Sequence, residues 1–453
     1  MPLLTDRLNF GNIYFRDKTY TPDTVSRSID AVSDRLNKRS VSNSPFVYLF
    51  APNHIKMVYA LFGIIKSGRI CVLVDPAIGR LELVEMMADT VPGALIRIDK
   101  TTDAFDFEKE FEFRDCRLEE KRLEGLEDVC LMLYTNASDG FAKAAMLTNE
   151  SLFANAKAGM LANKVTTGAI SCALISYCHL FALQTGIFIP SLSKTSIFIV
   201  ELEEFLKIKI IADQINKLSV SHIYSIPAIF YPLGKFYKTK GFPTTLRSCV
   251  CGGVPLSDKI FNLFKSNFNI EIQIGYGLTE ASPICTFHYP GDKVKQGSVG
   301  RALPCCEVRI FDLRDQVLPI GQVGEICIKG MNVMKGYYNN PKATHLILKN
   351  GWLHSGDIGK MDEEGYLYFI ECKKRMYNLG GNKVYPAELE RLLKIPGNVI
   401  KATVECEPDE LLYNILRVNV ELNNKNENDK KKYQTWCEEY ISKYKLPQKI
   451  KFV

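Results

Sequence analysis

No Cys-x-x-Cys pair, no basic block that reads as a nucleic-acid patch and no GxxxxGKS or GxxxxGKT loop occurs in the 453 residues, and each absence excludes a class of protein. Without clustered soft ligands a zinc-stapled fold is not expected. A formal charge of only +6, spread along the chain, argues against a nucleic-acid partner; it is compatible with polyanionic small molecules such as ATP or coenzyme A without arguing for them. The missing loop excludes an ordinary P-loop NTPase. The first residues, MPLLTDRLNF, lack the basic-then-apolar order of a secretion signal, and the 14 cysteines are scattered, with only Cys249/Cys251 and Cys305–Cys306 as near neighbours. Free thiols in such number lead us to expect a reducing, cytoplasmic setting.

What is present is globular: 46% hydrophobic and 24% charged residues, in a chain too long for one core. One stretch, Val165 to Ser193, carries no Asp, Glu, Lys or Arg. Its His179, Gln184, Pro190 and β-branched pieces favour buried α/β core over a membrane span. Before it, helical and strand patterns alternate: Asp23–Asn37 as helix, Phe46–Phe50 as strand, His54–Lys66 as helix, Ile70–Val74 as strand. The alternation resumes through Ser171–Ser176, Thr195–Val200, His222–Ser225, Arg247–Cys251 and a helix at Asp258–Ser266. Such alternation predicts parallel sheets covered by helices. From about Gly297 short β-branched runs with Gly and Pro turns predict a small antiparallel barrel or sheet, followed from about Cys372 by a compact α+β tail.

Between Tyr134 and Asn149 the chain reads YTNASDGFAKAAMLTN, small and hydroxylated residues with one lysine between apolar runs. A strand, a loop of this kind and a helix over Glu150–Asn163 would aim N–H groups and hydroxyls at phosphate oxygens. A plain surface turn accounts for the same residues, and Asp139 places a carboxylate where an anion would have to sit.

Further along, motifs accumulate in a fixed order: CGGVPL, YGLTE at Tyr276–Glu280, QGSVGRALP, GEICIKG at Gly324–Gly330, MKGYYNNPKAT, GWLHSGD at Gly351–Asp357, and GYLYFIECKKRMYNLGGNKVYPAELE at Gly365–Glu390. In this the chain resembles the adenylate-forming superfamily of acyl- and aryl-CoA synthetases, peptide-synthetase adenylation domains and luciferases. The resemblance implies an α/β fold: an N-terminal portion over 1–370 with two α/β subdomains and a small β-barrel at about 297–370, then a small α+β lid over 371–453. It implies acyl-adenylate formation from a carboxylic acid with Mg·ATP, and transfer to coenzyme A or a phosphopantetheine carrier.

Residue by residue, the resemblance gives Tyr276 and Gly277 to the adenine pocket, Thr279 to the α-phosphate, Glu280 to Mg2+ and Asp357 to the ribose hydroxyls. Gly252 and Gly253 would let adenine approach the backbone. Thr135, Ser138, Gly140 and Lys143 keep phosphate-loop chemistry. His179 falls near the expected acyl pocket. Lys374 takes the hinge position, and Gly380 and Gly381 border the thiol path. The aspartate that would bind an α-amine is absent, so a fatty, aryl or other non-amino acid is expected.

Four features depart from the family pattern. The phosphate loop has Ala137, Asp139, Ala142 and Ala144 where that pattern has glycine, threonine, proline and glycine. Cys372 stands for a ribose-contacting arginine, whose fork a thiol cannot supply. Asn149 replaces a histidine, and KYKLPQKIKFV stops before the segment that carries the lid lysine. These departures set an alternative beside the ligase: a degenerate homologue acting as a nucleotide- or acyl-binding regulatory protein. They also raise the expectation of a partner supplying the lid segment or a carrier thiol.

Overall fold

The computed structural model describes residues 3–453 apart from 39–41, 136–139, 205–206, 293, 374–375, 380–381, 410–412 and 425. Two large sheets carry the first two thirds of the chain. The seven-stranded sheet runs in the order Gly336–Tyr337, Lys143–Thr148, Val129–Thr135, Ile70–Val74, Phe46–Phe50, Ala94–Arg97, Phe111–Phe113, parallel in its middle and antiparallel at both edges. The nine-stranded sheet has parallel central strands at Ile170–Ala173, His222–Ser225 and Ser248–Cys251. The alternating pattern predicts this result, because parallel strands need helical crossovers that bury both sheet faces.

One hydrophobic core joins the sheets. It contains Val47, Leu49 and Leu131 from one and Phe15, Ile199 and Val250 from the other. The helix Ile55–Lys66 threads this core with every residue but Lys66 buried. It packs so closely on Pro22–Lys38 that a Cβ on Gly63 would lie 2.5 Å from Val32 Cγ1. The charge-free run is core as well: a strand, then the helix Leu180–Leu183, a π-helical turn at Gln184–Phe188 and a last turn at Ile189–Ser191. Among the described residues no helix is long and apolar enough to cross a membrane.

One expectation fails. Between Val129–Thr135 and the expected helix, where the sequence predicts only a loop, the structure places a strand: Lys143–Thr148 returns antiparallel to Val129–Thr135 as a hairpin, with Thr135 opposite Lys143. The helix Asn149–Ala162 starts only afterwards, with Thr148 Oγ1 accepting from Ser151 N at 3.0 Å. Alanine-rich KAAMLT has helical preference, but strands on both of its edges satisfy its backbone, and tertiary pairing overrides propensity.

Beyond residue 300 the strands Cys306–Phe311, Gly324–Gly330, Trp352–Met361 and Leu367–Cys372 form an antiparallel sheet with Leu348–Lys349, built around Ile326, Ile328, Leu353 and Leu367. The tail has its own core, in which the sheet of Val399–Asp409, Tyr413–Leu422 and Lys449–Phe452 packs with the helices Pro386–Leu393 and Glu427–Tyr440. It docks on the helix Arg80–Asp89. There Lys445 Nζ lies 2.7 Å from both Glu82 Oε1 and Glu388 Oε1, and Ser442 N donates to Glu82 Oε2 at 3.0 Å.

Candidate active site

The strand Gln273–Gly277 ends at a tight turn, Thr279–Ala281, and that turn lies between the antiparallel sheet and the hairpin strand. It is clamped from several sides. Asn332 Nδ2 donates to Ala281 O at 2.9 Å, Met334 N to Glu280 O at 2.8 Å, and Asn155 Nδ2 to Ile284 O at 2.7 Å. Gly277 has to be glycine, since a Cβ there would lie 1.7 Å from Pro283 O. Sequence position thus fixes where Tyr276, Thr279 and Glu280 leave the backbone.

Tyr276 reaches Asp357. Its phenol donates to Asp357 Oδ2 at 2.8 Å, and its ring lies 6.2 Å from that of Phe369. Burial, and then the Asp357 charge, push the phenol far above its usual range, so it remains a donor. Asp357 is only 5% exposed and is set by Ser355, whose Oγ accepts from Asp357 N at 3.0 Å and donates to Ile326 O at 2.6 Å. With Oδ2 engaged, Oδ1 is the atom available to a vicinal diol.

Glu280 has a partner that sequence reasoning missed. Tyr337 Oη donates to Glu280 Oε1 at 2.6 Å, a length typical of a bond to an ionised carboxylate. Oε2 takes no hydrogen bond from the described residues. An oxygen donor of this kind suits Mg2+, which binds through one or two carboxylates while keeping water and phosphate ligands.

Gly252, Gly253, Tyr276 and Gly277 line a cavity. Its other walls are mostly apolar, with Phe181, Ile284, Phe287 and Leu303 prominent, and no charged side chain stands among the described lining residues. Phe181 closes on the glycine segment: a Cβ on Gly252 would lie 2.8 Å from its ring. His179 is not among the lining residues. It precedes the helix Leu180–Leu183, and its place in the cavity wall is taken by Phe181 and, from the π-helical turn, Thr185. At the polar end Asn163 Nδ2 donates to Tyr224 Oη at 2.8 Å, and Ser248 Oγ to Asn163 Oδ1 at 2.9 Å. The charge-free sequence pattern could have pointed to Phe181; nothing in sequence spacing pointed to Asn163 or Tyr224.

Thr135 and Lys143 face each other at the base of the hairpin, with Thr135 Oγ1 donating to Lys143 O at 3.4 Å. Gly140 follows the tip in a left-handed conformation, φ +90°. Ala137, Ser138 and Asp139 lie outside the described residues, as do Lys374, Gly380 and Gly381.

The tail reaches this region. Arg391 Nε donates to Gly140 O at 2.9 Å, its guanidinium lies 4.4 Å over the Phe141 ring, and its two terminal nitrogens grip Glu85 at 2.7 and 2.9 Å. Tyr385 is raised by burial and then by Cys372, Glu280 and Asp357, so its phenol stands in the field of both site carboxylates.

Two of the departures acquire a place. Cys372 sits directly opposite Asp357 in strand register, with Sγ 3.8 Å from Gly356 O. Asn149 ties the start of its helix to the N-terminal segment, accepting from Leu4 N at 2.9 Å. On the Asp357 strand and its paired neighbour Gly324–Gly330, His354, Glu325 and Cys327 form a compact group, with His354 Nδ1 3.1 Å from Glu325 Oε2 and 3.4 Å from Cys327 Sγ. Burial alone would raise Glu325, but His354 and Lys373, 3.0 Å away, hold it below the usual carboxylate value. With Gly356 N donating to its other oxygen at 2.9 Å, this group is satisfied within the protein and braces the strand.

Comparison with known proteins agrees with this geometry. The family described as AMP-binding enzyme matches residues 6–338. A feruloyl-CoA synthase of Amycolatopsis sp is 26% identical over 441 residues, covering 94% of this chain and 89% of that protein. A long-chain-fatty-acid–CoA ligase of Yersinia pestis is also 26% identical, over 461 residues, covering 90% and 81%. The solved structure of a double mutant of o-succinylbenzoate CoA synthetase from Bacillus subtilis, bound to a product analogue, superimposes with a TM-score of 0.85 at 22% identity, covering 99% of this chain and 94% of that one.

Proposed function

The chain belongs to the AMP-binding enzyme family and is an acid–thiol ligase of the adenylate-forming kind, and from that premise we propose that it activates a compact non-amino carboxylic acid with ATP and passes the acyl group to coenzyme A. The observation that carries this reading is the turn Tyr276–Glu280, which joins three things within five residues: a phenol bonded to a buried aspartate, a carboxylate with one oxygen available, and part of the wall of an uncharged cavity.

In the first step a carboxylate oxygen of the acid attacks the α-phosphorus of ATP, and the bond to the β-phosphate breaks to release pyrophosphate. In the second the sulfur of a thiolate attacks the acyl carbon, a C–S bond forms, and AMP leaves with the electron pair of the mixed anhydride. Asp357 holds the ribose hydroxyls, the Gly252–Gly253 segment and Tyr276 hold adenine, and Thr279, Thr135 and Lys143 meet the phosphates. Magnesium bound at Glu280 would neutralise phosphate charge. Tyr385 and Arg391 cover the site from the tail and exclude water.

An uncharged cavity disfavours an amino acid or a second carboxylate, since an unpaired charge there would lose its hydration without a partner. The aryl and fatty relatives range from 26% to 30% identity, too distant to decide the acid. Phe181 and the glycine wall make a slot suited to an aryl ring or a short acyl chain. A reducing compartment suits the 14 free thiols.

A second reading, nucleotide binding without turnover, is favoured by one observation: the side chain opposite Asp357 is a thiol and not a cation. Labelled pyrophosphate exchange with aryl, medium-chain and long-chain acids, combined with ATP titration calorimetry, separates the two. Exchange with any one acid supports the ligase. ATP binding without exchange supports the second reading, and neither signal sinks both.

A further inference from the structure

We propose that Tyr337 is a positioning residue for the metal carboxylate: it locks Glu280 Oε1 so that Oε2 alone is presented to the divalent ion that accompanies ATP. This rests on the reading of Glu280 given above. At 2.6 Å the phenol spends its single proton on one carboxylate oxygen, which stops the carboxylate from rotating and leaves its other lone pairs directed elsewhere.

The phenol is itself held rigidly, from a part of the chain more than fifty residues beyond Glu280. Tyr337 belongs to the two-residue strand Gly336–Tyr337, which pairs antiparallel with the hairpin strand so that Tyr337 lies opposite Ala145. Its N–H donates to Thr344 Oγ1 at 2.9 Å. The preceding Gly336, at φ +144°, packs so tightly that a Cβ would meet Thr344 Cγ2 at 2.8 Å. The Thr135 hydroxyl faces the same phenol from the base of the phosphate hairpin. One side chain therefore touches both the metal carboxylate and the strand that carries the phosphate loop, and fixes their separation. Its neighbour Tyr338 points elsewhere, donating to Arg122 O at 3.1 Å.

The test is Mn2+ binding to the full chain with α,β-methylene-ATP, followed by electron paramagnetic resonance, for wild type, Tyr337→Phe, Tyr338→Phe and Glu280→Gln. Loss of an outer partner of a metal ligand lowers metal affinity about 10- to 100-fold, and Tyr337→Phe is expected to do so. Metal-free nucleotide affinity should stay within about twofold, a split that a general loss of structure would not give. Tyr338→Phe should leave Mn2+ binding unchanged. If Glu280→Gln weakens Mn2+ binding and Tyr337→Phe does not, or if Tyr338→Phe weakens it equally, the positioning role is wrong while Glu280 stands. If Glu280→Gln binds Mn2+ as wild type does, the reading of Glu280 fails and the role of Tyr337 with it.

Discussion

Lys445→Met is expected to be among the most damaging single changes in the tail. The side chain is fully buried, and Nζ lies 2.7 Å from a carboxylate oxygen on each side: Glu82 of the docking helix and Glu388 of the tail. Burial alone would depress the ammonium, but Tyr444, Glu82 and Glu388 outweigh it and raise it well above the usual lysine value. A raised cation contributes in full below its unfolded pKa of about 10.4 and is lost only as pH climbs through the folded value, so the whole effect is present at pH 7. Methionine keeps the length of the side chain and removes the charge, leaving two buried carboxylates without a counter-ion. Breaking a buried pair from one side costs about 3–5 kcal/mol. Glu388 worsens the case, because burial already raises it and its Oε2 takes no hydrogen bond from the described residues. The chain has 2 tryptophans, and Trp436 stacks between Tyr433 and Tyr440 in the tail. Urea unfolding followed by Trp436 fluorescence in a Trp352→Phe background therefore reports this domain. Adding Glu82→Gln to Lys445→Met should recover part of the loss. A Lys445→Met transition within about 0.5 kcal/mol of its parent, the range of ordinary surface substitutions, would refute the idea that this cluster holds the tail to the body.

Asp357→Asn should weaken ATP binding about 10- to 100-fold by calorimetry, the worth of hydrogen bonds to a charged acceptor, with little change in thermal stability. Gly277→Ala should yield little folded protein, because its Cβ has no room beside Pro283 O, whereas Gly397→Ala, with nothing within 4 Å, should express normally. Acidification should destabilise the chain through His288. Ile274 N donates to its Nδ1 at 3.2 Å, and Ser298, whose proton goes to Lys295 O, accepts from Nε2 at 2.7 Å, so only the neutral ring fits. Burial pushes His288 down to about 4, so its contribution is complete above pH 6.5 and is lost as pH falls from there through 4. Comparing urea midpoints at pH 7 and pH 5 should show a drop that His288→Gln reduces.

How much of this was legible beforehand depends on the distance over which each feature is decided. The helix Ile55–Lys66, the strands at Phe46 and Ile70 and the alternation that makes parallel sheets follow from local periodicity, because burial repeats every 3.6 or every 2 residues along the chain itself. YGLTE and HSGD stood out for a related reason: each is a short run of consecutive residues that matches the family pattern. Only the folded chain brings Tyr276 to Asp357, 81 positions on, and shows that the carboxylate is shared with a phenol. Lys143–Thr148 has the composition of a helix lead-in and becomes a strand only because Val129–Thr135 and Gly336–Tyr337 flank it. Tyr337 and Tyr338 are indistinguishable in a GYY run, and strand pairing sends one to Glu280 and the other to Arg122. Glu82 and Lys445 are separated by 363 residues, and no local pattern marks either as a partner. From the sequence alone came the period of its elements and, through the ordered motifs, the resemblance to the adenylate-forming superfamily. The tertiary structure decided which oxygen faces which proton, because that depends on register between segments whose closeness no local interaction encodes.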